Sequence, residues 1–491
     1  MGQSSLSLMA AAPEIYLLCL IGVVLMVDLF SPEHRRAAGH SLAIAGLVGA
    51  IFVQLYVGAA APEQTAFGGM FVNDALAQTA KLFMYAVTIL CLGYSREYAK
   101  NRGYFNGEHN ALTLFALLGM NVMCSSGNFI ALFVGLEMLS LALYAMIALR
   151  RDCPRSAEAA LKYFILGSLS SGILLYGLSM IYGATGSLDA EGVFKAFASG
   201  GSRNILASLG LIFVVVGVTF KFGAAPFHMW VPDVYEGAGS TVAAFVGSAP
   251  KIATMVFGFR IFMEGMQHSI ADWQELIAIV AVVSLFIGNL AAIAQTNFKR
   301  MLGYSTVSHM GFVLLGFVGN GTGTGSMSMD GMTAALYYSV TYALMSLVAF
   351  GVIIALTSKE REIENIEDLA GLNRTHPWYA FMMFLAMFSM AGIPPLMGFY
   401  AKAYILVGLL NEHMYFLAVY GMIMALIGAF YYLRVVKVMY MDRPTEAALA
   451  VEPHFAPAAK ALLAVNALAL LAFGVAPAFV MDLCAQALSG F

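Results

Sequence analysis

The chain has 491 residues, 60% of them hydrophobic and only 11% charged, with a mean hydropathy of +0.81. Those values exclude a soluble globular protein, and the net charge of −3, spread over short loops, leaves no basic patch for nucleic acid. The five cysteines (Cys19, Cys91, Cys124, Cys153, Cys484) show no CxxC spacing and no histidine at ligand distance, so they read as packing residues rather than a metal, iron–sulfur or disulfide framework.

Apolar runs recur along the whole chain, at approximately 13–31, 40–60, 74–95, 109–125, 127–149, 158–183, 204–236, 240–265, 273–295, 298–319, 330–357, 376–411, 413–441 and 457–485. Each is long enough to cross roughly 30 Å of hydrocarbon as a helix, which predicts about fourteen spans and an all-α polytopic membrane protein. The short alternating segments of a β-barrel are missing. The first run lacks a basic flank and a clear cleavage site, so residues 13–30 read as a retained span rather than a signal peptide. Ser125, Ser126, Gly127 and Asn128 alone turn the chain between spans four and five.

Basic residues alternate from loop to loop. Arg35 and Arg36 follow span one, and Arg96, Lys100 and Arg102 follow span three. Arg150, Arg151 and Arg155 follow span five; Lys299 and Arg300 follow span nine. Lys359, Arg361 and Arg374 follow span eleven, and Lys437 and Arg443 end span thirteen. Lys195 and Arg203 are the main exceptions, and the loop after span seven is acidic instead (Asp233, Glu236). The positive-inside rule then places both termini away from the cytoplasm.

Spans seven and twelve are long and interrupted, by Gly223-Ala224-Ala225-Pro226 and by Gly392-Ile393-Pro394-Pro395. Proline removes a backbone donor and clashes with the preceding turn, so Pro226, Pro394 and Pro395 mark either broken helices or ordinary kinks. Each sits in the fourth helix of a five-helix block, and five being odd, the second block is inverted relative to the first. The predicted division is residues 1–108 (spans one to three), 109–268 (first repeat, spans four to eight), 269–441 (second repeat, spans nine to thirteen) and 442–491 (a loop and span fourteen).

Ionisable residues inside these runs cost roughly 2.5–3.5 kcal/mol each at mid-membrane and are functional candidates by default. They are Glu137, Lys162, Lys221, Lys251 and Lys402. Lys221 adjoins the first break, and Glu137 is its candidate partner, either as a proton switch or as a static ion pair. Lys251 suits the middle of a relay and Lys402 its end, with snorkelling or packing as the alternative for Lys251. Glu158 and Lys162 are spaced for an i,i+4 pair, so a structural role competes with a relay role. His228 and His309 suit proton hopping or a satisfied buried histidine, and Tyr304, Ser305, Thr306 and Ser308 could hold water beside His309. Lys81, close to a helix start, reads as an anchor or snorkelling residue. No GxGxxG, P-loop or haem-ligand context is present, so no nucleotide, flavin or metal site is expected in this chain.

At these residues the chain resembles the subunit N family of proton-pumping NADH–quinone oxidoreductases (respiratory complex I), antiporter-like proteins related to the Mrp-type cation/proton antiporters. The matching stretches are 137–144 (EMLSLALY), 158–164 (EAALKYF), 220–237 (FKFGAAPFHMWVPDVYEG), 299–305 (KRMLGYS) and 391–395 (AGIPP). The resemblance implies fourteen helices in two inverted five-helix repeats with helices seven and twelve broken. It also implies a proton path in which Glu137 pairs with Lys221, Lys251 is central and Lys402 leads to the exit. Where the family has Pro-Thr-Pro this chain has Gly239-Ser240-Thr241, which loosens the start of span eight. The chain stops just after span fourteen, without the long lateral helix of the family's largest member.

The implied activity is that of a subunit of an H⁺-translocating NADH:quinone reductase, with no redox centre in this chain. NADH, FMN, iron–sulfur clusters and quinone are expected in partner subunits. The expected partners are the other membrane-arm subunits, including neighbouring antiporter-like ones, and the lipid bilayer. The expected location is a bacterial inner membrane with both termini periplasmic. The alternative is a stand-alone Mrp-type cation/proton antiporter subunit, for which no cluster of buried carboxylates suggests a sodium site.

Overall fold

In a computed structural model the described residues are 8–30, 37–60, 63–200, 204–320, 330–359, 362–444, 449, 453 and 455–490. Arg35, Arg36, Arg203 and Arg361 lie outside them. Among the described residues, twelve helices are long and apolar enough to cross a membrane. The other two expected spans are the 18-residue helix Gly107–Cys124 and the interrupted pair Pro377–Ala391 and Met397–Asn411.

In chain order the helices are α1 (Ala12–Phe30), α2 (Ala37–Ala60), α3 (Ala75–Asn101), α4 (Gly107–Cys124), α5 (Phe129–Ile147), α6 (Pro154–Thr185) and a short α7 (Ala190–Ala198). Then come α8 (Ile205–Phe222), α9 (Trp230–Gly237), α10 (Ser240–Val246), α11 (Ala249–Phe259), α12 (Ile270–Ala294), α13 (Phe298–Val318) and α14 (Asp330–Leu356). The chain closes with α15 (Pro377–Ala391), α16 (Met397–Asn411), α17 (Tyr415–Tyr440), α18 (Pro457–Val475) and α19 (Ala478–Leu488). A small hairpin, β1 (Gln64–Ala66) against β2 (Phe71–Asn73), joins α2 to α3.

Local sequence sets the helix ends. Asp74, Asn128, Asn204 and Asn297 cap α3, α5, α8 and α13, each side chain accepting a first-turn N–H at 2.8–2.9 Å. Glycines set the tightest crossings: a Cβ on Gly119 of α4 would sit 2.6 Å from the Leu139 nitrogen of α5, and one on Gly288 of α12 would sit 2.6 Å from the Ser308 nitrogen of α13. In a membrane, where no hydrophobic effect drives helices together, such backbone approach supplies the packing.

Burial sorts the helices. The span formed by α10 and α11 is wholly buried, and α13 and α14 are 94% buried, whereas α1, α2, α17 and α18 are only 33% buried. The first group forms the core, and the second presents apolar side chains outward, such as Phe52, Phe416 and Leu426.

Two features were not anticipated. Span eight is not continuous: Gly247 and Ser248 separate α10 from α11, with Ser248 outside helical geometry (φ −126°, ψ −94°), and the helix loosens into a π-helical turn at Arg260–Gly265. The signal was present as Gly247-Ser248-Ala249-Pro250, with Pro250 in the first turn of α11. The amphipathic α7 also lies in a loop that composition left blank.

The loops segregate into two faces. On one, the hairpin, the 125–128 turn and the start of α7 meet through bridges Phe71–Ser126 and Asn128–Asp189. On the other, the basic loops converge on Glu362. Its carboxylate receives Lys299 Nζ at 3.4 Å and Arg150 Nη1 at 3.3 Å, lies 3.8 Å from Arg102 Nη2, and accepts from Ser240 Oγ at 3.1 Å and from the Tyr98 hydroxyl. The acidic loop after span seven is matched electrostatically: Arg300 Nη1 meets Asp233 and Glu236, both at 2.8 Å, and Lys162 Nζ meets Asp233 at 2.9 Å.

Burial alone would push the Glu362 pKa up, but Lys299, the Tyr98 hydroxyl, Arg150 and Arg102 pull it down to about 2. An acid depressed on folding contributes stability above its unfolded pKa and loses it as pH falls through the folded value. E362Q should therefore lower stability at neutral pH by about 3 kcal/mol, seen as a lower thermal midpoint in detergent. The difference from the parent should shrink as pH falls from about 4.5 toward about 2.

Candidate functional site

Both interrupted spans stop in the same manner. α8 ends at Gly223 (φ +75°) and α15 at Gly392 (φ +85°), left-handed positions that glycine adopts without strain. A helix ending inside the bilayer leaves carbonyls without an intrahelical partner, and these must be satisfied where no bulk water reaches. Two of the sequence-predicted lysines supply that partner. Lys251, arriving from α11, donates to the Phe222 carbonyl at 3.0 Å. Lys402, from α16, donates to the carbonyls of Met390 and Ala391 at 2.8 and 3.0 Å.

Each ammonium also stands over an aromatic face, Lys251 over Trp230 at 5.3 Å and Lys402 over Phe312 at 5.6 Å. At the first break the Ala225 N–H donates to Ser284 Oγ of α12 at 2.8 Å, and Trp230 Nε1 donates to the Phe220 carbonyl at 3.1 Å. At the second, the Gly398 N–H donates to Ser389 Oγ at 3.1 Å. The prolines Pro226, Pro394 and Pro395 lie in the two interruptions.

Lys221 lies in the last turn of α8, buried, and donates to Ser140 Oγ at 2.8 Å. The expected direct pair with Glu137 is not made. Glu137 instead accepts from the Ser171 hydroxyl of α6, and Ser140 sits one helical turn farther along α5. Glu137 and Lys221 are thus close but disengaged, with serines holding each.

His309 of α13 is fully engaged: Nδ1 shares a hydrogen bond with the Tyr338 hydroxyl at 2.8 Å and Nε2 with that of Tyr432 at 2.9 Å. Tyr432 continues to Ser305 at 2.5 Å, while the Tyr431 hydroxyl lies 3.2 Å from both the Tyr432 hydroxyl and Asn289 Oδ1, its single proton shared between them. Tyr338 stacks on Phe312, the ring beneath Lys402. A run of hydroxyl and imidazole groups therefore connects α13, α14 and α17 beside Lys402, and the Asn289 amide ties it to α12. The sequence marked His309 and Ser305 but missed Tyr338 and Tyr432. Tyrosines in apolar helices resemble packing residues until their hydroxyls find partners.

Lys162 makes the i,i+4 pair that its spacing offered, with Glu158 at 2.8 Å, and also meets Asp233 at 2.9 Å; its side chain is 45% exposed within this chain, in a charged cluster at the basic-loop end. His228 and Tyr304 lie between the two regions: His228 is half-buried with its ring 6.2 Å from Tyr304, whose ring also lies 5.9 Å from the Arg300 guanidinium. Lys81 is unlike its expectation. It is fully buried, with the Glu14 carboxylate of α1 at 2.6 Å and the Phe71 ring at 5.1 Å.

The turn at the second break gives a direct test of this geometry. A Cβ at Gly392 would meet Lys402 Cδ at 3.0 Å in a backbone conformation that L-residues avoid, so G392A should cost about 1–3 kcal/mol. Gly172, in mid-helix with open space around it, should tolerate alanine or gain slightly. Thermal midpoints of the two variants in detergent check both expectations.

Residues 126–428 match the family described as NADH:quinone oxidoreductase/Mrp antiporter, transmembrane. The chain is 51% identical over 488 residues to NADH-quinone oxidoreductase subunit N of Neisseria gonorrhoeae, covering 99% of both. It is 48% identical over 483 residues to the protein of the same name in Methylovorus glucosotrophus, covering 98% of both. Among solved structures it superposes on a chain of respiratory complex I from Thermus thermophilus with a TM-score of 0.79 at 29% identity, covering 96% of this chain and 98% of that one. A chain of the Mrp complex from Dietzia sp. gives a TM-score of 0.82 at 19% identity, covering 98% and 97%, a likeness of fold. With such identity sustained across nearly the full length of both chains, this chain belongs to the NADH-quinone oxidoreductase subunit N family of antiporter-like membrane proteins.

Proposed function

We propose that this chain is a membrane-arm subunit of a proton-pumping NADH–quinone oxidoreductase and moves protons through Glu137, Lys221, Lys251, His309 and Lys402. One observation carries the reading: buried lysines hold the open carbonyl ends of both broken helices, with a hydroxyl–imidazole run beside the second. A buried ammonium persists only where acceptors replace its water, so a shift in those acceptors changes which lysine keeps the proton.

In this mechanism Glu137 swings from Ser171 toward Lys221, and the resulting ion pair retains a proton on Lys221. Withdrawal of Glu137 releases that proton toward Lys251, which is tied to Phe222, the residue next to Lys221. From Lys251 the proton passes by way of His309, Tyr338 and Tyr432 to Lys402. Glu158, Lys162, His228 and Tyr304 line a secondary approach from the basic-loop face, in the order Lys162–Asp233–Arg300–Tyr304.

Energy arrives from quinone reduction in partner subunits, which hold NADH, FMN, the iron–sulfur clusters and quinone. Residues 109–268 and 269–441 act as two inverted five-helix units flanked by 1–108 and 442–491. The basic loops face the cytoplasm and both termini the periplasm, in agreement with their convergence on Glu362.

The test uses the intact complex in sealed vesicles. K221A and K402A should each lower protons pumped per NADH to roughly half or less, since a missing relay group interrupts a buried path, while electron transfer remains measurable. Parental pumping in both variants would refute the relay. Sodium–proton exchange by the isolated chain in vesicles would instead support an autonomous antiporter.

A further inference from the structure

Two hollows meet at the basic-loop end of α1, α4 and α5, and none of the residues lining them belongs to the proton path. The first is an apolar groove of about 450 Å³ between the three helices, lined by Leu25, Ala111, Leu112, Phe115, Ala145 and Ala148. Ala145 and Ala148 lie exposed, so the short side chains of α5 leave the groove open outward. From Glu108 to Phe115 it follows α4 for about 10 Å. The second is a polar hollow of about 420 Å³ bordered by Arg102, Asn106, Arg150 and Asp152. Glu108, Leu149 and Arg151 line both, so the two are continuous.

The polar hollow carries more cation than its own acids neutralise. Arg102 and Arg150 reach Glu362 at 3.8 and 3.3 Å, and Lys299 meets the same carboxylate at 3.4 Å. One carboxylate therefore faces three cations. Where the hollows join, Arg151 pairs with Glu108 at 3.2 Å, but these side chains are 76% and 54% exposed. An exposed pair of that kind is worth little, so Arg151 can turn to another anion at small cost. Asp152 stands exposed at the rim, and Asp28 lies outside the hollow, accepting the Gly107 N–H at 3.1 Å. The side chains that line the hollow or meet at Glu362 thus set four cations against three carboxylates. Arg102 also has donors to spare: its Nη2 makes a long bond to the Ser358 carbonyl at 3.3 Å, and its Nε has no acceptor among the described residues.

We infer that this double site holds one anionic phospholipid from the leaflet on the basic-loop side. Its phosphodiester lies among Arg102, Arg150 and Arg151, and an acyl chain lies in the groove between α1, α4 and α5. A phosphodiester brings the single negative charge that the cluster lacks, and guanidinium groups bind its two free oxygens in the same fork that they offer a carboxylate. Basic pockets between transmembrane helices select lipid headgroups by this chemistry. The groove identifies the anion as a lipid's: apolar walls that open into hydrocarbon take up a chain and exclude water. Bound there, the lipid bridges the peripheral α1 to the α4–α5 pair and adds an anion to the cluster that anchors the loops.

The test uses the intact complex in detergent, equilibrated with a phosphatidylglycerol that carries a photoreactive diazirine on one acyl chain. After irradiation the label is expected on peptides containing Leu112–Phe115 and Ala145–Leu149 of this chain. Unlabelled phosphatidylglycerol is expected to displace it, whereas phosphatidylethanolamine at the same concentration and millimolar inorganic phosphate are not. R151Q is expected to lower labelling roughly fivefold, the weight of one arginine near a membrane surface. A148F, which fills the groove from an exposed position, is expected to lower it at least as much. Unlabelled α4 and α5 peptides, as when a neighbouring subunit covers the groove, overturn the inference. So does unchanged labelling in both variants. Equal displacement by phosphatidylethanolamine shows a groove blind to charge, and displacement by inorganic phosphate shows a site for the free anion; either result overturns it. Should the variants not assemble, displacement in the parental complex decides.

Discussion

A helix that stops inside a bilayer exposes carbonyls to a medium that cannot hydrogen-bond them, and the arrangement at the centre of this chain follows from that constraint. Here the partners are lysine ammonium groups, which are equally unstable there alone. Each defect solves the other. Lys251 holds the carbonyl end of α8, and Lys402 holds that of α15. The bond is charge-assisted and sits at the negative end of a helix dipole, so the two half-helices and the two lysines fix one another's positions.

Such coupling makes geometry a lever on charge. A small movement of a half-helix end changes how well its lysine is solvated, and the other groups respond through fixed contacts. Ser140 and Ser171 each hold one member of the Lys221 and Glu137 couple by a hydrogen bond, in place of a direct pair. Tyr338 and Tyr432 occupy both nitrogens of His309, and each hydroxyl can donate or accept as the imidazole tautomer changes.

Charges at the two faces act differently. Around Glu362, three cations from separate loops and two hydroxyls converge on one carboxylate, which ties the ends of α3 and α5 and the start of α13 to the loop after α14. At the opposite face Arg260 binds the N-cap of α3 to the π-turn after α11. Both clusters brace the core span of α10 and α11 at its ends, leaving its middle, with Lys251, between two anchored points.

The sequence by itself determined the membrane class, the approximate spans, the positions where two helices break or kink and the ionisable residues within apolar runs, because hydropathy and proline chemistry act locally along the chain. Glu137, Lys221, Lys251, Lys402 and His309 stood out because a polar group in an apolar run is costly wherever the run packs. Partnership was decided only by the tertiary structure. The i,i+4 spacing offered Lys162 a pair with Glu158, but nothing local showed that Lys251 would be sealed against a carbonyl or that Lys81 would be buried beside Glu14 of a different helix. Arg260, Glu362, Tyr338 and Tyr432 went unmarked for the same reason. A hydrogen bond between residues a hundred positions apart depends on which helices meet and at what depth, and a single chain's periodicity carries no record of that.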